Sequence, residues 1–189
     1  MNDQKIYPMQ NTMETFQAFV DAIIPRTPGL AEEYGLLQYY GALDLDTAEC
    51  MIMSLDHYYI PLAGPTAEML NITAERLIYM EGYDRHTRIN GNTFAALSPI
   101  DRFRVITLLD ELEADLITLP EQFRNNPWFK FYILSVLNRF TMMGYYSEWS
   151  GYGSTRLESP NNRTLEFFPL SWQQVGYPGP SLGYHALRI

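Results

Sequence analysis

Apolar residues recur at helical spacing along most of the chain. Met13, Phe16, Phe19, Val20, Ile23 and Ile24 stand three or four residues from one another along one face, which predicts an amphipathic helix capped by Thr12 and stopped by Pro25. Arg26 to Gly29 reads as a turn, and Leu30 to Tyr40 as a helical turn or two punctuated by Gly35 and Gly41. Asp44 or Asp46 is placed to cap a helix carrying Cys50, Met51, Met53, Leu55 and Tyr58, broken by Pro61 and Pro65. A short helix over Ala67 to Leu70 and another from Thr73 through Met80 are expected next, the second with an uncertain end in the polar run Asp84 to Asn92. Ser98-Pro99-Ile100-Asp101 resembles a capping box and opens a helix bearing Phe103, Val105, Ile106, Leu108, Leu109 and Leu112. Pro127 opens the most hydrophobic helix, from Trp128 to Met143; apolar nearly all round, it is expected at the centre of a bundle.

After Gly144 the helical period disappears. Residues 144 to 189 predict loops, one short helix near Ser171 to Val175 and a brief strand at Leu165 to Phe168. The reading is a mostly α protein. A single domain, 1–189, has a compact helical core over 12–143 and an irregular aromatic, Gly- and Pro-rich C-terminal arm over 144–189 packed on it. Residues 1 to 11 are polar and expected to be extended.

The arm holds nine aromatic rings: Tyr145, Tyr146, Trp149, Tyr152, Phe167, Phe168, Trp172, Tyr177 and Tyr184. Each ring carries roughly 150–250 Å² of buriable surface, so the arm is expected to pack on its own helices, on a second protein, or on both. Tyr and Trp suit interface hot spots, and Pro178-Gly179-Pro180 stiffens the loop that presents Tyr177.

Charge sharpens this picture. The net charge is -9, and all of it lies in residues 1 to 143, since the arm carries three acidic and three basic residues. An acidic balance argues against a broad nucleic-acid footprint, which needs clustered Lys and Arg. Only two lysines stand against eleven arginines. Cys50 is the single cysteine, so no intrachain disulfide forms. No stretch reaches the ~18 apolar residues of a membrane span, and the N-terminal residues show no export signal, so a cytoplasmic location is expected.

The search for chemistry returns little. Di-iron bundles need paired Glu-x-x-His motifs, and none is present; His57, His86 and His185 are scattered. There is no CxxC pair, HExxH, calcium loop or GxSxG elbow, and Gly151-Tyr152-Gly153-Ser154 lacks the lysine of a phosphate loop. Asp110, Glu111, Glu113 and Asp115 read as a solvated helix face. No catalytic, cofactor-binding or metal-binding residue is assigned.

Three segments resemble the gluconate 2-dehydrogenase subunit 3 family, the small subunits that accompany flavin-dependent alcohol and sugar dehydrogenases. They are Phe19-Val20-Asp21-Ala22-Ile23-Ile24-Pro25, Met143-Gly144-Tyr145-Tyr146 with Trp149 behind it, and Trp172 followed by Gly176-Tyr177-Pro178-Gly179-Pro180. The resemblance implies a noncatalytic partner of a larger FAD-containing oxidoreductase of the glucose-methanol-choline type. The flavin and the catalytic histidine would belong to the large subunit, and this chain would assist maturation, stability or export. Tyr145, Tyr146, Trp149, Trp172, Tyr177, Pro178, Gly179 and Pro180 become the expected partner contacts. Members often begin with a twin-arginine signal; its absence here points to a cytoplasmic assembly role. A rival reading is a small-molecule binder with a ring-lined pocket between arm and bundle. An enzyme with an unrecognised site is a third, which requires a buried carboxylate facing a histidine.

Overall fold

A computed structural model describes residues 9–81, 92–111 and 117–180. Expectations for residues 1–8, for the run Asp84 to Gly91, and for Leu112, Glu113, Asp115, Tyr184, His86 and His185 lie outside them. The described residues form eight α-helices joined by short 3-10 turns, and no strand, so the protein is a mostly α helical bundle.

Helix α1, Met9–Ile23, starts ahead of the expected Thr12 cap and buries Phe16, Phe19 and Val20 completely. It packs against α3 (Thr47–Asp56), α4 (Ala63–Glu81), α5 (Thr93–Ala96), α6 (Pro99–Asp110) and α7 (Pro127–Tyr146), and so holds the centre of the bundle. The small helix α2, Ala31–Tyr34, and the 3-10 turn Leu36–Tyr39 lead from α1 to α3. One apolar cluster joins these helices, with Met51, Leu55, Met69, Leu70, Phe94, Leu109, Ile133 and Leu137 among its members.

A polar seam crosses the core. The Thr15 hydroxyl donates to Asn92 Oδ1 at 2.9 Å, Asn71 Nδ2 donates back to Thr15 at 3.1 Å, and Asn92 Nδ2 donates to Glu14 at 2.7 Å. Asn71 Oδ1 also accepts from the Phe94 backbone N–H, so α1, α4 and the start of α5 are joined by polar groups that satisfy one another.

Four sequence expectations change. Residues 63 to 81 form one continuous helix instead of two, because Pro65 occupies the first turn, where its missing N–H has no partner to lose. The Ala63 N–H is taken by Asp56 Oδ1 at 2.9 Å. At the start of α3, neither aspartate caps with its side chain: Asp46 stands at the N-cap position in left-handed backbone, φ 52°, and faces Arg156, while Asp44 pairs with Arg26 and accepts from Gly41 N–H. The segment Leu165 to Phe168 forms no strand; Glu166 and Phe167 both donate their N–H to the Gly151 carbonyl at 2.8 and 2.9 Å.

The fourth change concerns α7. It packs on α3 and α6 at the outside of the bundle, leaving Trp128, Tyr132, Met142, Met143 and Tyr146 exposed. Its one fully buried charge, Lys130, donates from Nζ to the Leu109 carbonyl, one of the four carbonyls left without a partner at the end of α6. The expected Ser98 cap holds, its hydroxyl accepting from Asp101 N–H at the start of α6, and α7 has a cap that the sequence did not announce, Asn126 Oδ1 accepting from Phe129 N–H.

Candidate interaction surface

Helix α7 runs past Gly144 by half a turn, so Tyr145 and Tyr146 are helical. Gly144 makes that passage fit, because a Cβ there would lie 2.8 Å from Thr47 Cγ2 of α3. Tyr145 then points inward. Its hydroxyl reaches the carbonyls of Leu37 and Tyr40 at 3.0 and 2.9 Å, and burial pushes the phenol up to about 12. Trp149 is also interior, its Nε1 donating to the Asp46 carbonyl at 2.9 Å. Two of the expected partner contacts are thereby spent on this chain's own bundle.

The segment after Trp149 is tied to α3 by arginines. Arg156 donates to Glu49 at 2.6 Å and pairs with Asp46 at 3.2 Å. The Arg163 guanidinium lies 5.7 Å from the Trp149 ring centroid and 5.8 Å from that of Tyr152, and donates to Met53 Sδ at 3.1 Å. These contacts explain the preference for arginine here: a planar fork stacks on rings while bonding at its edge.

Helix α8, Leu170–Val175, carries Trp172, with Phe168 before it and Tyr177 after it. It ends in a Schellman motif: Gly176 takes left-handed backbone at φ 68°, its N–H bonds the Gln173 carbonyl, and the Tyr177 N–H bonds the Trp172 carbonyl at 2.9 Å. That reversal brings Tyr177 back onto Trp172, edge to face at 5.0 Å between centroids, and Phe168 also meets Trp172 edge to face at 5.7 Å. Pro178, Gly179 and Pro180 continue from this cluster, Pro178 and Pro180 exposed.

Two side chains fix α8 to the bundle. The Ser171 hydroxyl donates to the Tyr146 carbonyl at 2.9 Å. The Gln174 carboxamide accepts from Leu37 N–H and donates to the Tyr34 carbonyl, both at 2.9 Å. The result is a surface of exposed apolar side chains on α8 and its flanks, Phe168, Val175 and Tyr177, beside Tyr34, Leu36 and Tyr146. Residues 167 to 180 and 34 to 43 contain no charged residue, in a chain whose net charge is -9. Apolar surface of this kind, kept free of charge, is what docking sites share.

The sequence reading named Tyr146, Trp172 and Tyr177 to Pro180 but missed Tyr34, Leu36 and Gln174. Only a contact 137 residues apart along the chain makes those neighbours, and no local pattern signals it. Among the described residues, no group of three or more His, Cys, Asp or Glu side chains could hold a metal ion, and no helix is long and apolar enough to cross a membrane. Comparison with protein-family models, curated proteins and solved structures finds no match to this chain.

Proposed function

We propose that this chain is a noncatalytic accessory subunit that binds a larger FAD-dependent dehydrogenase of the glucose-methanol-choline type and assists its maturation or stability. The observation that carries the reading is the uncharged aromatic surface formed by α8, Tyr146 and the Tyr34–Leu36 turn. An acidic protein approaches a large partner without repulsion through such a face, and rigid rings bind there at low entropic cost. The three segments that resemble the gluconate 2-dehydrogenase subunit 3 family supply the class of partner. In this reading the flavin stays in the large subunit and this chain contributes no reacting group.

Co-expression with a glucose-methanol-choline flavoprotein encoded beside this chain, followed by affinity capture on this chain, tests it. The expected result is retention of the flavoprotein with its flavin absorbance, and lower soluble yield of that flavoprotein when this chain is omitted. Capture of no flavoprotein, with yield unchanged, overturns the reading.

A further inference from the structure

The outer face of α7 carries a regular stripe. Trp128, Tyr132, Ser135, Arg139, Met142 and Tyr146 are all exposed, and they follow one another at intervals of four, three, four, three and four residues. This is the spacing at which one helix presents a seam to another. Eighteen steps from Trp128 to Tyr146 at ~1.5 Å each make the stripe about 27 Å long. No carboxylate occurs anywhere in α7, whose only charges are Lys130 and Arg139.

The stripe is also symmetric about its middle. Set antiparallel against a copy of itself, Trp128 meets Tyr146, Tyr132 meets Met142 and Ser135 meets Arg139, each pair formed twice. These are favourable partners: ring on ring, thioether on ring, and hydroxyl oxygen accepting from guanidinium. We propose that α7 is the contact face of a homodimer in which the two copies of this helix pack antiparallel about a two-fold axis, a self-complementary arrangement in which each contact is made twice.

The self-matching register points to a second copy as the occupant, and charge permits it. Two chains of net charge -9 repel overall, but α7 holds no carboxylate, so two copies of this helix meet without setting carboxylate against carboxylate. Size agrees. At ~200 Å² a side chain, the exposed parts of Trp128, Tyr132, Met142, Met143 and Tyr146 come to about 500 Å². Tyr58, whose hydroxyl stands 3.2 Å from that of Tyr132, raises the area to about 600 Å², the share of one partner in an interface at the small end of the specific range. Tyr146 is the one residue shared with the surface around α8; Phe168, Trp172 and Tyr177 lie outside the seam.

The test needs no flavoprotein, so its outcome is independent of the proposed function. Sedimentation of the purified full chain over a dilution series is expected to show twice the 21.9 kDa of one chain. Trp128→Glu and Met142→Glu are each expected to weaken self-association by at least ~10-fold with unchanged far-UV circular dichroism, while Tyr79→Glu, equally exposed on α4, leaves it intact. Register is read by mixing Ser135→Cys chains with Arg139→Cys chains, which are expected to cross-link on oxidation. Met142→Cys chains are not expected to link to themselves. A monomer at every concentration overturns the proposal and leaves the face to a helix of another protein; a dimer that survives both glutamates, or links at Met142→Cys, also overturns it.

Discussion

The carboxamide of Gln174 completes the backbone hydrogen bonding of Leu37, a residue 137 positions away, by accepting its N–H at 2.9 Å while donating to the Tyr34 carbonyl. One side chain thus fastens α8 to the turn before α3. Gln174→Ala leaves both backbone groups without a protein partner, the Tyr34 carbonyl open to water, and is expected to lower unfolding stability by about 0.5–1.5 kcal/mol. Urea denaturation measures that loss, and hydrogen exchange at the Leu37 amide should speed up. Gln174→Glu keeps the acceptor but sets a carboxylate against the Tyr34 carbonyl, so it is expected not to restore wild-type stability.

Trp149 and Tyr177 separate interior from surface within the arm. Trp149 is 3% exposed and bonded through its indole N–H, so Trp149→Ala is expected to cost about 3–5 kcal/mol, a large share of the roughly 5–15 kcal/mol of an ordinary domain. Tyr177 is 42% exposed, and Tyr177→Ala is expected to leave thermal unfolding within about 1 kcal/mol of wild type while weakening capture of the flavoprotein partner. Circular dichroism melts and the capture assay, run on both variants, read the contrast.

Much of the bundle was legible in the sequence. The period of Phe16, Phe19 and Val20, the Ser98 cap and the Pro127 start all rest on local rules that the structure keeps. The misplacements came where local signals have two readings. Pro65 breaks a helix interior but is tolerated in a first turn, and Gly144 ends many helices but here lets α7 pass close to Thr47. The apolar composition of α7 hid its orientation, since an outer face of Trp, Tyr and Met looks like core in one dimension. Of the candidate surface, aromatic content identified the arm, but which rings turn inward depends on acceptors such as the Asp46 and Leu37 carbonyls, distant in sequence.

Alkaline pH is expected to reveal the buried titrating groups. Burial pushes the Cys50 thiol from 9.0 up to about 11, and the Tyr145 phenol from 10.0 up to about 12. Above pH 9 the unfolded chain loses its thiol proton before the native chain does, so the native state binds more protons and stability falls as pH rises. The Cys50 contribution is complete below pH 9 and lost by about pH 11, and that of Tyr145 is lost between pH 10 and about 12. Lys130 acts in the opposite sense: burial lowers its affinity for a proton, so as pH climbs toward 10.5 it adds stability. Thermal melts across this range should therefore fall less steeply in Cys50→Ala above pH 9 and in Tyr145→Phe above pH 10, and more steeply in Lys130→Met.

Gly144→Ala sets two effects against each other. Alanine favours the helix over glycine by about 1 kcal/mol, and on that ground alone the change in the last turns of α7 would stabilise. The new Cβ, however, would lie 2.8 Å from Thr47 Cγ2 and 3.4 Å from Cys50 Cβ, and all three residues are buried where α7 crosses α3. Overpacking of that kind costs roughly 1–3 kcal/mol, because the buried threonine methyl can only rotate into its packed surroundings and the cysteine Cβ cannot turn away without moving α3. Packing is expected to win, with a net loss of about 1–2 kcal/mol in urea denaturation. Thr47→Ser removes the methyl that the new Cβ would strike, so in the double variant the loss from Gly144→Ala should shrink, and a double-mutant cycle with no coupling would show that the two helices do not meet at this point.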